Sequence, residues 1–184
     1  LSSAASDVYK RQEIFYIIEG ERQFFFDNKS YNAYAGDIAI LDTNLVHTTC
    51  SISDEDKGYN RVILYIDYEK MCDFDKKYPG LNLVNYFHNN YGIYHLNEDQ
   101  RIAFLNLYRD LRHELTKKNS GYQSRVEIAT IYWLYKLLSL KHDSTQIHAV
   151  INSPKELSAY NISAYLEALS LIHISEPTRQ AEIS

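Results

Sequence analysis

Cysteine is scarce in this chain of 184 residues, and proline and glycine are nearly as rare. Two cysteines, Cys50 and Cys72, are too few for a disulfide framework or a cysteine-based metal knuckle, so we expect ordinary cytosolic thiols. Long hydrophobic runs are also absent, since even residues 128–140 are interrupted by Lys136 and Ser139. These absences predict a cytoplasmic protein that does not associate with a membrane.

Positive charge is in short supply as well. The chain has 19 lysine and arginine residues against 24 aspartate and glutamate residues, a formal net charge of −5. An acidic surface disfavours contacts with phosphate groups, so this part of the protein is a poor candidate for binding DNA or RNA directly. Tyrosine, in contrast, occurs 17 times, which together with few glycines and prolines is typical of an AT-rich bacterial coding sequence.

The two ends read as sequencing adapter rather than native protein. Residues 2–12, SSAASDVYKRQ, and residues 169–179, LSLIHISEPTR, are translations of the two ends of a transposase-type library adapter. Both matches are continuous and in the correct opposite orientation, which chance does not produce. We therefore expect residues 1–12 and 169–184 to be adapter-derived. The remaining residues, 13–168, fit one domain with a single core and neither true terminus.

Short runs of β-branched and aromatic residues dominate the first third of the native segment. Residues 13–26 contain two such runs separated by Glu19-Gly20, which predicts two strands joined by a tight turn. Further strands are predicted over residues 30–34, 38–41, 45–51 and 61–66. Short strands at this spacing predict a barrel or sandwich, here spanning residues 13–67.

The character of the sequence changes after residue 67. Residues 68–97 have no sustained period and are predicted to be a connector with one short helix. Asn97 followed by Gln100 matches a capping box, so a helix is expected to run from there to about residue 116. Its apolar positions recur every three or four residues and predict one buried stripe: Ile102, Leu105, Tyr108, Leu111 and Leu115.

The segment 124–140 is apolar on most faces, unlike a helix with one face in solvent. Two explanations stay open at equal weight. Either the barrel and the preceding helix cover it, or the same helix of a second subunit does. The second explanation assigns a dimer interface to four residues of this helix: Ile131, Leu134, Leu137 and Leu138. With the preceding helix, this segment forms a helical annex predicted over residues 98–152.

Residues 36–41, GDIAIL, followed by His47 resemble the second cupin motif. In that motif a glycine lets the chain turn into a strand, and a histidine eleven positions later faces the barrel interior. The match is partial, because the motif's proline, second glycine and final asparagine are replaced by Asp42, Asn44 and Ser51. Glu13 corresponds to the glutamate that closes the first cupin motif, whose two histidines would lie just upstream. Without them no metal and no other cofactor is predicted.

The chain also resembles the N-terminal, cupin-like effector-binding half of AraC/XylS-type transcriptional regulators. The resemblance rests on EIFYIIEGE at 13–21, FFF at 24–26, the tyrosine and GDIAIL pattern at 31–41, and RVILYID at 61–67. The later helices agree more loosely. One departure is Thr43, which stands where many members carry proline.

This resemblance implies an α+β fold in which an antiparallel, jelly-roll type β-barrel is followed by an α-helical dimerisation annex. It implies a small-molecule effector, a homodimer and no catalytic residues. Residues 153–168 would be the linker and the start of a helix-turn-helix domain, and DNA would be contacted only through that missing domain. A metal-dependent cupin enzyme, such as an isomerase or dioxygenase, and a stand-alone sugar-binding cupin are the alternatives.

Alternate residues of a strand face the same side of a sheet, which places the expected effector site. If Glu13 faces inward, so do Phe15 and Ile17. Phe24 and Phe26 share one face of the next strand, and His47 enters from the opposite side. Aromatic walls with one carboxylate and one imidazole fit a sugar or another small polar organic molecule. The alternative is that these aromatic side chains are plain core and bind nothing.

Overall fold

Strands come first along the chain and helices later. The computed structural model describes residues 11–43, 45–52, 59–140 and 145–150. In chain order its elements are β1 (Arg11–Glu19), β2 (Glu21–Phe26), β3 (Lys29–Tyr34), β4 (Asp37–Leu41), β5 (Thr48–Cys50), β6 (Asn60–Asp67), α1 (Tyr68–Lys77), α2 (Leu83–Asn89), β7 (Gly92–His95), α3 (Glu98–Lys117), α4 (Tyr122–Leu137) and β8 (Thr145–Gln146). The predicted mixture of antiparallel strands and helices is confirmed.

The strands form two antiparallel sheets. One has five strands in the order β6-β1-β4-β7-β8, and the other has three in the order β3-β2-β5. The hairpin between β2 and β3 turns at Asp27 and Asn28, whose φ angles are 51° and 57°. Two consecutive positive φ values match the tight turn whose twist suits a two-residue hairpin, and Asp and Asn tolerate this conformation.

The described residues do not show the predicted closed barrel. The two sheets lie face to face as a sandwich, and no ladder of strand pairing joins them within the described part of the chain. The short strand β5 pairs with β2 through three residues only. Strand residues alternate between the two faces of the sheet in a barrel and in a sandwich alike. The sequence pattern therefore does not show whether the edge strands pair to close a barrel.

Three layers result, because the five-stranded sheet is buried on both faces. Phe15 and Ile17 of β1 point toward the small sheet, whereas Ile14 and Tyr16 point toward the helices. The helical layer contributes large buried side chains, among them Met71, Phe74, Leu83, Phe87, Phe104, Trp133 and Leu134. Burial on both faces explains why β1 and β4 read as continuous apolar runs.

The Gly-Asp pair that precedes β4 makes the turn that the cupin-like motif predicts. Gly36 has a φ of +91°, and a Cβ there would lie 2.3 Å from the Arg101 guanidinium carbon. The positive φ therefore favours glycine, and a side chain there would also displace the Arg101 guanidinium. Asp37 is buried and accepts hydrogen bonds from the backbone N–H of Tyr34 at 2.8 Å and from His95 Nδ1 at 2.7 Å.

Residues 68–97 are more ordered than the predicted connector. They form α1, α2 and β7 rather than one short helix. The Asp75 carboxylate accepts from the backbone N–H groups of Leu83 and Val84 at 2.6 and 3.0 Å, so α1 caps the start of α2. Strand β7 pairs with β4 more than 50 residues away in sequence. The cap on α2 and the β4–β7 pairing both depend on contacts between separate elements, which cannot be predicted from the periodicity of one segment.

The helix α3 begins as predicted and is buried differently. Asn97 Oδ1 accepts from the Gln100 N–H at 2.9 Å, and Gln100 Oε1 accepts from the Asn97 N–H at 2.8 Å, which confirms the capping box. The predicted stripe is wrong at Ile102, which is 50% exposed, and at Leu105, which is also exposed. The buried positions are Phe104, Leu107 and Leu111, because the Phe104 ring packs against Trp133. The apolar residues of α3 form two stripes along the helix, and the buried stripe is the one that contains Phe104.

Helix α4 is held mainly by its own subunit. Leu134 and Leu137 are completely buried against the helix-facing core. Their assignment to a dimer interface is therefore corrected, because side chains covered within one chain are not available to a second. Ile131 and Leu138 are half-buried. The opposite face exposes three large apolar or aromatic side chains: Ile128, Tyr132 and Tyr135.

Some predicted boundaries fall at or beyond the described residues. Strand β1 begins at Arg11, inside the segment assigned to adapter, and Arg11 pairs with Asp67 at 2.9 Å. The predicted linker and helix-turn-helix start over residues 153–168, and the adapter assignment of residues 169–184, lie outside the described part of the chain. Among the described residues, no helix combines the length and apolar character needed to cross a bilayer.

Candidate functional site

All six predicted effector-site residues lie on the side of their strands or loop that faces the space between the sheets. Three of them meet at one end of that space. His47 Nε2 lies 3.4 Å from Glu13 Oε2, and the Phe15 ring packs edge-on at 6.2 Å from the His47 ring. Phe24 joins this group through an edge-on contact with Phe15 at 5.5 Å. The structure therefore brings Glu13, Phe15, Phe24 and His47 together.

The other two predicted residues belong to the filled interior. Ile17 is completely buried, and Phe26 stacks on Tyr31 with a centroid distance of 4.3 Å and contacts Tyr91 at its edge. Phe24 is also completely buried. In the interior of the sandwich, these packed side chains support the alternative that the aromatic residues are hydrophobic core and bind no ligand. Glu13 and His47 keep about 20% of their side-chain surface accessible, so the polar end is where a solute can make contact.

The environment of His47 favours its protonated form. Nδ1 lies 3.0 Å from the Leu45 carbonyl oxygen, which can only accept, so Nδ1 carries a hydrogen. Burial opposes a charged imidazole and lowers the pKa, but the hydrogen bond and negative charge of Glu13, with the Leu45 carbonyl, outweigh it. The pKa of His47 is raised above its usual 6.5. A protonated His47 donates from both ring nitrogens.

Tyr65 is a further member of this end that the sequence reasoning did not select. It lies directly across from Glu13 in the β1–β6 ladder. Burial, assisted by the negative charge of Glu13, raises the pKa of Tyr65, which keeps its hydroxyl protonated. Alternation along RVILYID places Tyr65 on the same face as Ile63, which packs into the layer between the sheets, and that signal was available in the sequence.

A cavity of about 710 Å³ opens at the same end of the five-stranded sheet. Leu45 joins the two features, since it lines the cavity and its carbonyl accepts from His47. The remaining lining residues come from the turn after β4, from α1 and α2, and from the approach to β7: Asp42, Thr43, Tyr68, Val84, His88 and Tyr91. A cavity of this size, with apolar walls and a few polar groups, suits a small organic ligand.

Two polar contacts fix side chains that line the cavity. His88 Nδ1 lies 3.0 Å from Asp42 Oδ2. Tyr91 donates its hydroxyl hydrogen to Asp27 Oδ2, and that bond raises the pKa of Tyr91 to about 12. Sequence reasoning missed Asp42, His88 and Tyr91, because two of them lie in the segment predicted as a connector. Within the described residues, no group of three His, Cys, Asp or Glu side chains is arranged to hold a metal ion.

Two face-to-face antiparallel sheets, with a polar-lined cavity at one end and helices behind, have the architecture of a cupin-like ligand-binding domain. The sequence matches the family model described as the AraC-like ligand binding domain over residues 8–134. The chain belongs to this family, as the effector-binding domain of an AraC-type regulator. This domain is typical of regulators rather than enzymes. A comparison with curated proteins found no match.

Proposed function

We propose that the chain senses a small, sugar-like polar molecule at the end of the sandwich that holds the Glu13–His47 pair, next to the 710 Å³ cavity that Leu45 lines. The observation that carries this proposal is the accessible Glu13–His47 pair beside the Phe15 ring. The Glu13 carboxylate accepts hydrogen bonds from ligand hydroxyls, His47 holds that carboxylate in place through Nε2, and the aromatic ring supplies an apolar wall. Asp42, His88 and Tyr91 line the adjoining cavity and offer further polar groups to the same ligand.

The proposed signal leaves the site through the helical layer. Val84 and His88 of α2 line the cavity, and Asp75 of α1 caps α2. A ligand that binds one arrangement of α2 better than another shifts the population toward that arrangement. We propose that this shift is relayed to a helix-turn-helix domain of the longer protein, which makes the only contact with DNA in the cytoplasm.

We further propose that the domain works as a homodimer through the exposed face of α4. Ile128 is 66% exposed, and Tyr132 and Tyr135 stack beside it with ring centroids 6.2 Å apart. Residues 128, 132 and 135 follow the four-and-three spacing of one helix face. This face, continued by the half-buried Ile131 and Leu138, replaces Leu134 and Leu137 as the proposed interface.

The effector site is tested with a panel of neutral pentoses and hexoses. We expect at least one sugar to raise the melting temperature of the full chain, because a ligand that binds only the folded state stabilises it. Glu13→Gln and His47→Gln should weaken its binding by about tenfold or more, as removal of a charge-assisted hydrogen bond does. Isothermal titration calorimetry measures the affinities.

Glu19→Gln is the matched control, since Glu19 lies on the same strand and is exposed. It should bind the sugar like the parent. Equal losses in Glu19→Gln and Glu13→Gln would contradict the assignment of the site. A panel in which no sugar binds the parent would overturn the proposed ligand class.

A further inference from the structure

Two arginine side chains lie on the inner faces of the two sheets. Arg22 of β2 is paired with Ala33 of β3, and Arg61 of β6 is paired with Ile17 of β1. Residues that pair directly across neighbouring strands face the same side of a sheet. Ala33 and Ile17 both belong to the core between the sheets. Arg22 and Arg61 therefore approach the space between the sheets from opposite walls.

Tyr59, just before β6, brings the two arginines together. The guanidinium carbon of Arg22 lies 4.7 Å from the centre of the Tyr59 ring, and that of Arg61 lies 4.6 Å from it. A guanidinium group this close to an aromatic ring is attracted to it electrostatically, which restricts an otherwise flexible side chain. Arg22 Nε also donates to Thr49 Oγ1 at 3.4 Å. We call Arg22, Tyr59 and Arg61 the arginine cluster.

The positive charges of the arginine cluster lack a negative partner within the part of the chain that the structure describes. Arg22 contacts only the Tyr59 ring and a hydroxyl there, and Arg61 contacts only the ring. Arg11, in contrast, pairs with a carboxylate at 2.9 Å. Two like charges beside one ring repel each other, so a negative group between them is stabilising. Arg61 is exposed and Arg22 is half-buried, so an anion from solution can reach them.

The arginine cluster borders the proposed effector site. Tyr65 lies directly across from Glu13 in the β1–β6 ladder. Burial and the negative charge of Glu13 raise the pKa of the Tyr65 hydroxyl, and the positive charge of Arg61 opposes that rise. Both charged groups therefore lie near the same hydroxyl. On the facing sheet, Phe24 of the effector site is two residues from Arg22 and on the same side of β2.

Glu13 does not repel an anion from this space as an isolated carboxylate would. Its Oε2 lies 3.4 Å from His47 Nε2, and the environment of His47 favours the protonated imidazole. The negative charge of Glu13 is therefore offset by its own partner, whereas the charges of Arg22 and Arg61 are not offset by any described carboxylate.

We propose that the arginine cluster binds the acid group, a carboxylate or a phosphate, of a sugar derivative whose hydroxyl groups are bound at Glu13. This inference rests on the proposed function, and it narrows the effector from sugar-like molecules in general to sugar acids and sugar phosphates. A planar guanidinium group donates two parallel hydrogen bonds to either kind of acid group. The Tyr59 ring holds the two guanidinium groups beside each other for this contact.

Three series of sugars test the proposal on the full chain. Glucose, galactose and mannose are each compared with their uronate and their 6-phosphate, which differ from the neutral sugar only at the terminal carbon. We expect at least one acidic derivative to bind about tenfold more tightly than its neutral hexose, or ~1.4 kcal/mol, in isothermal titration calorimetry. A gain for the uronate assigns a carboxylate, and a gain for the 6-phosphate alone assigns a phosphate.

Arg22→Gln and Arg61→Gln should each reduce this gain and leave the affinity for the neutral hexose unchanged, which also shows that the variants are folded. Tyr59→Leu keeps both charges but removes the ring between them, so it should reduce the gain as well. Arg109→Gln is the matched control, because Arg109 is exposed on α3 and its loss changes the net charge by the same amount. It should bind every probe like the parent.

Several outcomes would overturn the proposal. Equal affinity of the parent for each hexose and its acidic derivatives would overturn this inference alone and leave the proposed function in place. That result is expected if Asp54, Glu55 and Asp56, which precede Tyr59 in the sequence, neutralise the arginines instead. An equal loss of the gain in Arg109→Gln would show that only the net charge matters. A parent that binds no member of the three series would contradict the proposed function as well.

Discussion

The two faces of the five-stranded sheet are both buried, but they are covered in different ways. Among the described residues, the helix-facing core contains 20 buried side chains and the core between the sheets contains 8. The larger core is continuous through α1 to α4, and the smaller one ends at the accessible Glu13 and His47. We infer that the helical side supplies most of the stability, whereas the side between the sheets provides a site.

The largest expected effect is on the helix-facing core. Leu134→Ala should lower the free energy of unfolding by about 2–5 kcal/mol, because Leu134 is completely buried and its truncation leaves a cavity. Urea unfolding measures this change. Ile128→Asp, on the exposed face of the same helix, should leave stability nearly unchanged and weaken self-association in sedimentation experiments.

The opposite result would break the comparison between the two faces. If Leu134→Ala keeps the parent's stability and dissociates a dimer, then Leu134 is an interface residue after all. If Ile128→Asp sediments like the parent, the exposed face of α4 is not the contact between subunits.

A smaller effect is expected between the sheets. Phe24→Leu keeps an apolar side chain but loses the edge-on contact with Phe15, worth about 0.5–1.5 kcal/mol, in addition to the packing of the larger ring. The urea midpoint should fall accordingly. A loss as large as that of Leu134→Ala, from this milder substitution, would contradict the ranking of the two cores. Because Phe15 also touches His47, the variant should weaken ligand binding at the polar end as well.

The smallest expected effect is a pH dependence of the unfolding free energy, which arises from His47 in the space between the sheets. The pKa of His47 is raised in the folded protein by Glu13 and the Leu45 carbonyl, against the opposing effect of burial. Its protonation therefore contributes stability that is fully present below the ordinary pKa of 6.5 and is lost as pH rises through the raised value. The difference in unfolding free energy between the parent and His47→Gln should shrink with rising pH.

Urea unfolding of both proteins from about pH 5 to about pH 9 measures this difference, within the range where histidines titrate. His88→Gln is the matched control, because His88 also lies beside a carboxylate but is largely exposed. A difference between the parent and His47→Gln that grows with pH would show that His47 is neutral in the folded protein.

Much of the strand layout was predictable because it depends on local signals. Gly20, the Asp27-Asn28 turn and the Gly36-Asp37 pair mark the strand ends to within a few residues. The capping box at Asn97 was predictable for the same reason, since its hydrogen bonds lie within one turn. Strand alternation also placed Glu13 and Phe15 on one face, and the motif spacing led to His47.

The rest depends on contacts between distant parts of the chain. The pairing of β7 with β4 joins segments more than 50 residues apart, and the capping of α2 by Asp75 is a contact between two helices. The cavity beside His47 draws on His88 and Tyr91, which no local pattern connects with Asp42. The exposed Ile102 shows the same limit, because the packing of Phe104 on Trp133 decides which stripe of α3 is buried.

The central position of β1 has one more consequence. Its neighbouring residues point into different interiors, Glu13 and Phe15 toward the small sheet and Ile14 and Tyr16 toward the helices. A substitution at Glu13 or Phe15 therefore changes the surface between the sheets while Ile14 and Tyr16 keep their contacts with the helical layer. Under the function proposed above, one scaffold acquires new ligand preferences through β1 while its attachment to the helices is kept.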